Sequence, residues 1–154
     1  MVALHSGLSS YVTIANPNNW IQTGWRYYEA WSAPKSYVEI QPPSGYINPY
    51  QYSVNWGETV EYKIIWASGN IWCAWIGGVQ QQCYNIGIAA PYNFYAHSEV
   101  HIAPQNQLNV YFSDVYYMDA SYSWFQFNQS HWREDAPYYV VDKSHYYEFQ
   151  NYGP

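Results

Sequence analysis

Charge is the first thing that this sequence has little of. Lysine, arginine, aspartate and glutamate make up 10% of its 154 residues, against about a quarter in an average soluble domain. Only 5 residues are lysine or arginine, whereas 11 are aspartate or glutamate, which gives a formal net charge of −6. No basic run is present, so we expect no nucleic-acid partner. With few basic groups, charge repulsion stays small even at pH ~3, which suits an acidic extracellular medium.

The sequence also has few strong helix formers and no apolar run near the ~20 residues of a membrane-spanning helix. We therefore expect no membrane span. The first residues, MVALHSGLSS, have neither the basic start nor the long apolar run of a signal peptide. Aromatic residues are abundant instead, at 22% of the chain with 20 tyrosines and 9 tryptophans. Such residues favour strands, which predicts an all-β protein.

Short strand-like segments follow one another closely and are separated by turn signals rich in glycine, proline and asparagine. This spacing is typical of an antiparallel double-sheet sandwich of the jelly-roll, or lectin-like, kind. We expect one domain over residues 1–154. The predicted strands are 9–15, 20–28, 35–41, 50–56, 59–67, 70–76, 79–86, 92–102, 108–118, 122–128 and 137–150.

Only two cysteines are present, Cys73 and Cys83. A three-residue loop over 77–79 would place them opposite each other in a hairpin, so that a cross-strand disulfide is geometrically possible. The alternative is a pair of buried thiols. A disulfide would indicate a secreted, extracellular protein.

Several predicted strands carry polar and aromatic side chains on the face that alternates with the apolar one. In a jelly roll, one sheet is concave, and its hollow is the usual place for a ligand. The candidate residues on these polar faces are Trp20, Gln22, Arg26, Tyr37, Glu39, Tyr95, His97, Glu99 and His101.

Four stretches of the chain, WIQTGWRYYEAW, PKSYVEI, AHSEVHI and LNVYFSDVYYMDA, resemble the glutamic peptidases of the eqolisin group. A more distant resemblance is to neprosin-type proteins. The resemblance covers roughly residues 20–120. It implies a β-sandwich hydrolase of peptide bonds that works in acid, with a polypeptide substrate and no cofactor or metal.

Carried over to this sequence, the resemblance implies that Gln22 and Glu99 form the catalytic pair. Glu99 would act as general base on a water molecule and later protonate the leaving amine. The Gln22 amide would donate to the developing oxyanion. The other candidate residues would surround the substrate.

The sequence departs from the family pattern after Glu99. Val100-His101-Ile102-Ala103 stands where eqolisins tend to have a tryptophan and a second acid. His97 and His101 flank Glu99 on one face, and their protonation below pH ~6 would lower its basicity. A neprosin-type pair of glutamates would have a glutamate at the position of Gln22.

Other readings of the same residues stay open. His97, Glu99 and His101 form an alternating row that could ligate zinc, and Glu99 with Glu39 or Glu61 could act as a glycosidase pair. A non-catalytic carbohydrate-binding module would use exposed aromatic rings for oligosaccharides. A structural surface or filament subunit would use sticky tyrosine-rich faces. The chain also has too many tryptophans for one core, so we expect some of the following to be exposed: Trp25, Trp31, Trp56, Trp72 and Trp132.

Overall fold

Every regular element of the structure, a computed structural model, is a β-strand. The residues described are 7–28, 30–88, 93–101, 108–118, 121, 123–126, 135–145 and 148–153. The strands among them are β1 (Gly7–Ala15), β2 (Trp20–Tyr28), β3 (Lys35–Gln41), β4 (Ile47–Ser53), β5 (Tyr62–Ser68), β6 (Ile71–Ile76), β7 (Val79–Asn85), β8 (Asn93–His101), β9 (Leu108–Phe112), β10 (Tyr116–Met118), β11 (Trp124–Gln126), β12 (Tyr139–His145) and β13 (Glu148–Gly153). The predicted all-β class is confirmed.

One compact unit comprises Ser9–His97. Its larger sheet has the order β4-β3-β2-β1-β8, and its smaller sheet has the order β5-β6-β7. In the antiparallel pair β2–β3, Gln22 lies opposite Glu39 and Gly24 lies opposite Tyr37. These register positions place the polar residues of the two strands on one shared face, because side chains alternate along a strand.

The opposite face of the larger sheet packs against the smaller sheet. Ile21 and Ile40, both with no exposed surface, join Trp72 and Ala74 of β6 in one hydrophobic cluster. The Trp72 indole N–H donates to the Ile88 carbonyl oxygen at 2.8 Å, so this ring is buried without losing a hydrogen bond. Full burial of each isoleucine side chain stabilises the fold by about 1.5–3 kcal/mol. This unit is therefore a two-layer β-sandwich.

The smaller sheet contains the predicted disulfide, which joins Cys73 of β6 to Cys83 of β7. The expected three-residue loop is wrong in detail, because Ile76 pairs directly with Val79 and the turn consists of two glycines. Both glycines have positive φ, as the two-residue turns of twisted hairpins require. A register shift between Cys73 and Trp75 then brings the cysteines opposite each other.

The other compact unit comprises Met1–Leu8 and Ser98–Pro154. It contains a sheet of order β12-β13-β9 and the pair β10–β11. The predicted strand 108–118 is divided in two at Asp114, whose φ of 53° is incompatible with extended backbone. The predicted strand 137–150 is an antiparallel pair, β12–β13. Phe149 of β13 stacks on Phe112 of β9 with ring centroids 4.5 Å apart.

Two expectations about architecture stay predictions: the single domain over residues 1–154 and the jelly-roll order of strands. Among the described residues, none forms a helix long and apolar enough to cross a membrane. The outer parts of the predicted strands 92–102 and 122–128 lie outside the described residues.

Candidate functional site

Gln22 lies in the middle of β2, directly opposite Glu39 of β3. Its Nε2 donates a hydrogen bond of 2.8 Å to Glu39 Oε2. A carboxylate oxygen accepts hydrogen bonds, whereas an amide offers either its NH2 group or its oxygen. The glutamate therefore selects the rotamer of Gln22 in which the nitrogen faces Glu39.

The other oxygen of Glu39 is occupied by two further donors. Arg26 forms an ion pair with Oε1 through Nη1, and the Tyr46 hydroxyl donates to Oε1 at 2.7 Å. Arg26 and Glu39 are each only 8% exposed. The carboxylate thus holds three donors in a site that is largely removed from water.

Tyr37 connects this group to the neighbouring strands. The Arg26 guanidinium lies 4.7 Å from the centroid of the Tyr37 ring, and Gln22 Nε2 lies 3.3 Å from the Tyr37 hydroxyl oxygen. The Tyr11 ring of β1 meets Tyr37 edge-on at 6.3 Å, and meets His97 of β8 at 4.1 Å. Contacts therefore run across one polar face of the sheet from Glu39 to His97.

Tyr46 closes one side of the cluster. Burial, with the hydrogen bond and charge of Glu39 adding to it, raises the pKa of Tyr46 to about 12. The hydroxyl consequently stays a donor at every physiological pH. Trp20, two residues before Gln22 on the same face of β2, lies with its ring 6.1 Å from that of Tyr46. Tyr46 itself is 55% exposed, so this aromatic pair borders solvent beside Gln22.

The structure thus brings together five of the candidate residues on β2 and β3: Trp20, Gln22, Arg26, Tyr37 and Glu39. Tyr95 is exposed on β8, with its ring 6.3 Å from that of His97. Glu99 is exposed on β8 and falls in the other compact unit. Its pairing with Gln22 stays a prediction. His101 ends β8, and its side chain lies outside the described residues.

Two residues of this face were not among the sequence candidates, Tyr11 and Tyr46. Tyr11 alternates with Ser9 and Thr13, and all three are buried. This alternation of polar residues in SSYVTIA is the sequence signal that could identify Tyr11. Tyr46 follows a tight turn in which the Gly45 amide donates to the Pro42 carbonyl oxygen. Nothing in the sequence around Tyr46 indicates that the turn directs its hydroxyl to Glu39.

Among the residues that the structure describes, no group of three or more histidine, cysteine, aspartate or glutamate side chains could hold a metal ion. The proposed zinc row depends on His101, whose side chain is outside that set. What the described cluster offers chemically is a fixed amide donor, two tyrosine hydroxyls and a carboxylate whose oxygens are already engaged.

No family model, no curated protein and no solved structure matches this chain.

Proposed function

We propose that this protein is a secreted, acid-active hydrolase of peptide bonds that works in the manner of a glutamic peptidase. Gln22 is the oxyanion donor and Glu99 is the general base. The observation that carries the proposal is the state of Gln22, whose amide nitrogen is fixed by Glu39 on a polar sheet face. An oxyanion donor has to be oriented before the reaction begins.

The position of His97 supports the choice of Glu99 as base. His97 takes part in the ring contacts that lead from Tyr37 across the polar face. Glu99 follows it by two residues on β8, and alternation gives both side chains the same side of that strand. Glu99 is exposed, so water can reach its carboxylate, whereas the oxygens of Glu39 are engaged.

The proposed reaction uses one water molecule. The Glu99 carboxylate takes a proton from the water as its oxygen bonds to the peptide carbonyl carbon. The carbonyl oxygen becomes an oxyanion and accepts a hydrogen bond from Gln22 Nε2. Glu99 then returns the proton to the amide nitrogen, the carbon–nitrogen bond breaks, and the carbonyl re-forms as a carboxylic acid. The Cys73–Cys83 disulfide supports a secreted location.

The test is cleavage of a denatured protein from about pH 2 to about pH 7. Glu99→Gln is expected to abolish cleavage and Gln22→Ala to reduce kcat by roughly 100-fold or more. Glu61→Gln is the matched control, because it removes one carboxylate from an exposed position. Absence of cleavage by the unaltered protein at every pH, or full activity of Glu99→Gln, would refute the proposal.

A second candidate function is binding of oligosaccharides. Trp56 is 60% exposed, and its ring is held edge-on by Tyr27 with centroids 4.9 Å apart. A flat, fixed, exposed indole suits stacking on a sugar ring. Of the other candidate tryptophans, Trp72 is buried in the core, and Trp132 lies outside the described residues.

Titration with oligosaccharides while recording tryptophan fluorescence distinguishes the two functions. Binding through Trp56 would be lost in Trp56→Ala and retained in Glu99→Gln. Trp124→Ala is the control, since Trp124 is also exposed, at 48%. Equal affinity of Trp56→Ala and the unaltered protein would exclude this surface as the sugar site.

A further inference from the structure

The buried pair of Arg26 and Glu39 has no part in the proposed reaction, yet it occupies the centre of the polar face. A buried ion pair is on average a poor source of stability, because removing two charges from water offsets their attraction. The side chains here are 9% and 11% exposed. Stability alone therefore does not explain why this pair is buried, and the hydrogen bonds of Glu39 suggest another role for it.

We propose that Glu39 is a positioning residue, which fixes the direction of the Gln22 amide and is itself fixed by Arg26. The inference rests on the proposed function, and it names a group that acts on the oxyanion donor without touching the substrate. The two carboxylate oxygens of Glu39 have different partners. Oε1 accepts from Arg26 and Tyr46, and Oε2 accepts from Gln22.

A glutamine amide needs such a partner because its two ends are almost the same shape. Rotation by half a turn exchanges Nε2 and Oε1, and only hydrogen bonding decides between the two positions. In the rotated position, Gln22 Oε1 would face the Glu39 carboxylate at hydrogen-bond distance and repel it. An oxyanion would meet the same repulsion from Oε1. Glu39 therefore removes the orientation of Gln22 that cannot stabilise the transition state.

The second N–H of Gln22 is the one left for a substrate. Nε2 carries two hydrogens; one is taken by Glu39 at 2.8 Å. The other is directed at the Tyr37 hydroxyl oxygen, which lies 3.3 Å from Nε2, whereas an ordinary N–H···O bond is about 2.7–3.2 Å long. A charged substrate oxygen is a stronger acceptor than a phenol. It can therefore replace the Tyr37 hydroxyl oxygen as the acceptor of this N–H.

The experiment measures the Gln22 side chain directly. NMR of 15N-labelled protein gives the hydrogen-exchange rate of each side-chain NH2 group, and Gln22→Ala assigns the resonances of Gln22. In Glu39→Gln, we expect exchange of the Gln22 NH2 hydrogens to be roughly tenfold faster, because a charge-assisted hydrogen bond is lost. Glu61→Gln is the control and is expected to leave the rate unchanged.

Two further variants cover the case in which Glu39→Gln does not fold. Arg26→Gln with Glu39→Gln removes both charges, so that no buried charge is left alone. Tyr46→Phe removes one donor from Glu39 at a half-exposed side chain, and we expect exchange of the Gln22 hydrogens to be roughly threefold faster. Circular dichroism confirms which variants are folded.

Enzyme kinetics give the second readout. In the folded Glu39 variants we expect kcat to fall by roughly 100-fold, with KM changed by less than about threefold, because the lost orientation matters only once the oxyanion forms. The acidic limb of the pH profile stays in place, since Glu99 is unaltered.

The outcomes distinguish the positioning role of Glu39 from the proposed peptidase activity. Unchanged Gln22 exchange in every folded Glu39 and Tyr46 variant overturns the positioning role, whatever the protein's activity. Unaltered kcat in a folded Glu39 variant with faster exchange also overturns it, since orientation would then not limit catalysis. Faster exchange in a protein that cleaves nothing at any pH refutes the peptidase and retains Glu39 as the group that orients Gln22.

Discussion

Removing one partner of the Arg26–Glu39 pair should destabilise the protein far more than removing both. In Glu39→Gln, the Arg26 guanidinium keeps its charge in a site where its Nε is buried and has no hydrogen-bond partner among the described residues. Leaving one buried charge alone costs about 3–5 kcal/mol. The same range applies to Arg26→Gln, which leaves the carboxylate unpaired.

The double variant carries no buried charge, so we expect it to lose at most about 2 kcal/mol relative to the unaltered protein. The coupling energy from the double-mutant cycle is then several kcal/mol. Folded domains have about 5–15 kcal/mol of stability in total, so each single variant should lose a large fraction of it.

Urea denaturation at about pH 7, followed by tryptophan fluorescence with the disulfide intact, measures the free energy of unfolding of the unaltered protein, the two single variants and the double variant. The exposed pair of Lys63 and Glu61, at 2.9 Å with side chains 33% and 54% exposed, provides the comparison. Glu61→Gln should cost no more than about 1 kcal/mol. Single variants of Arg26 and Glu39 that cost equally little, or that add up in the double variant, would show that the pair is neither buried nor coupled as described.

Three further predictions concern the compact unit Ser9–His97. Replacing Cys73 and Cys83 by serine should lower the free energy of unfolding by about 2–3 kcal/mol, because a closed loop no longer restricts the unfolded chain; urea denaturation measures the loss, and adding reductant to this variant should change nothing further. Burial and Glu39 raise the pKa of Tyr46 from 10.0 to about 12. Its contribution to stability should therefore be complete below pH 10, where the unfolded chain also keeps the proton, and be lost as the pH rises to 12; melting of Tyr46→Phe should lack this part of the decline. Gly87→Ala should lower the free energy of unfolding by about 2 kcal/mol or more, since φ is +69° and the new Cβ would lie 2.8 Å from a proline side-chain carbon. Gly69→Ala, where φ is +52° and the space is open, should lower it by about 1 kcal/mol. Equal melting temperatures for the two variants would contradict the steric argument.

Much of the fold follows from local pattern. Strands β2, β3 and β6 lie within one residue of where alternation and turn residues place them, because each has one face in the core. Other bounds are wrong: the predicted strand 50–56 lies three residues earlier, as β4 (Ile47–Ser53), and the predicted strand 59–67 begins three residues later, as β5 (Tyr62–Ser68). Two further errors occur where a single backbone conformation decides. Asp114 with positive φ ends β9, and the two-residue glycine turn shifts the register of β7. Neither effect has a signature in hydrophobic pattern.

The candidate site was harder to predict, because it depends on which strands are neighbours. Alternation places Gln22 and Glu39 on polar faces of two separate strands, but only the register of β2 with β3 makes them a hydrogen-bonded pair. The resemblance pointed to Glu99 as the partner of Gln22 and counted Glu39 among the surrounding residues. Tyr46 comes from a turn, where neither period nor propensity predicts the direction of a side chain.

The direct contact of Gln22 with Glu39 also limits what mechanism this site can support. Three donors bind the two oxygens of Glu39, and the residue is only 8% exposed, so an attacking water molecule has little access to this carboxylate. Gln22 and Tyr37 offer no basic atom at acidic pH. The peptidase that we propose therefore takes its base from outside β2 and β3, and Glu99 is the exposed carboxylate proposed for that role.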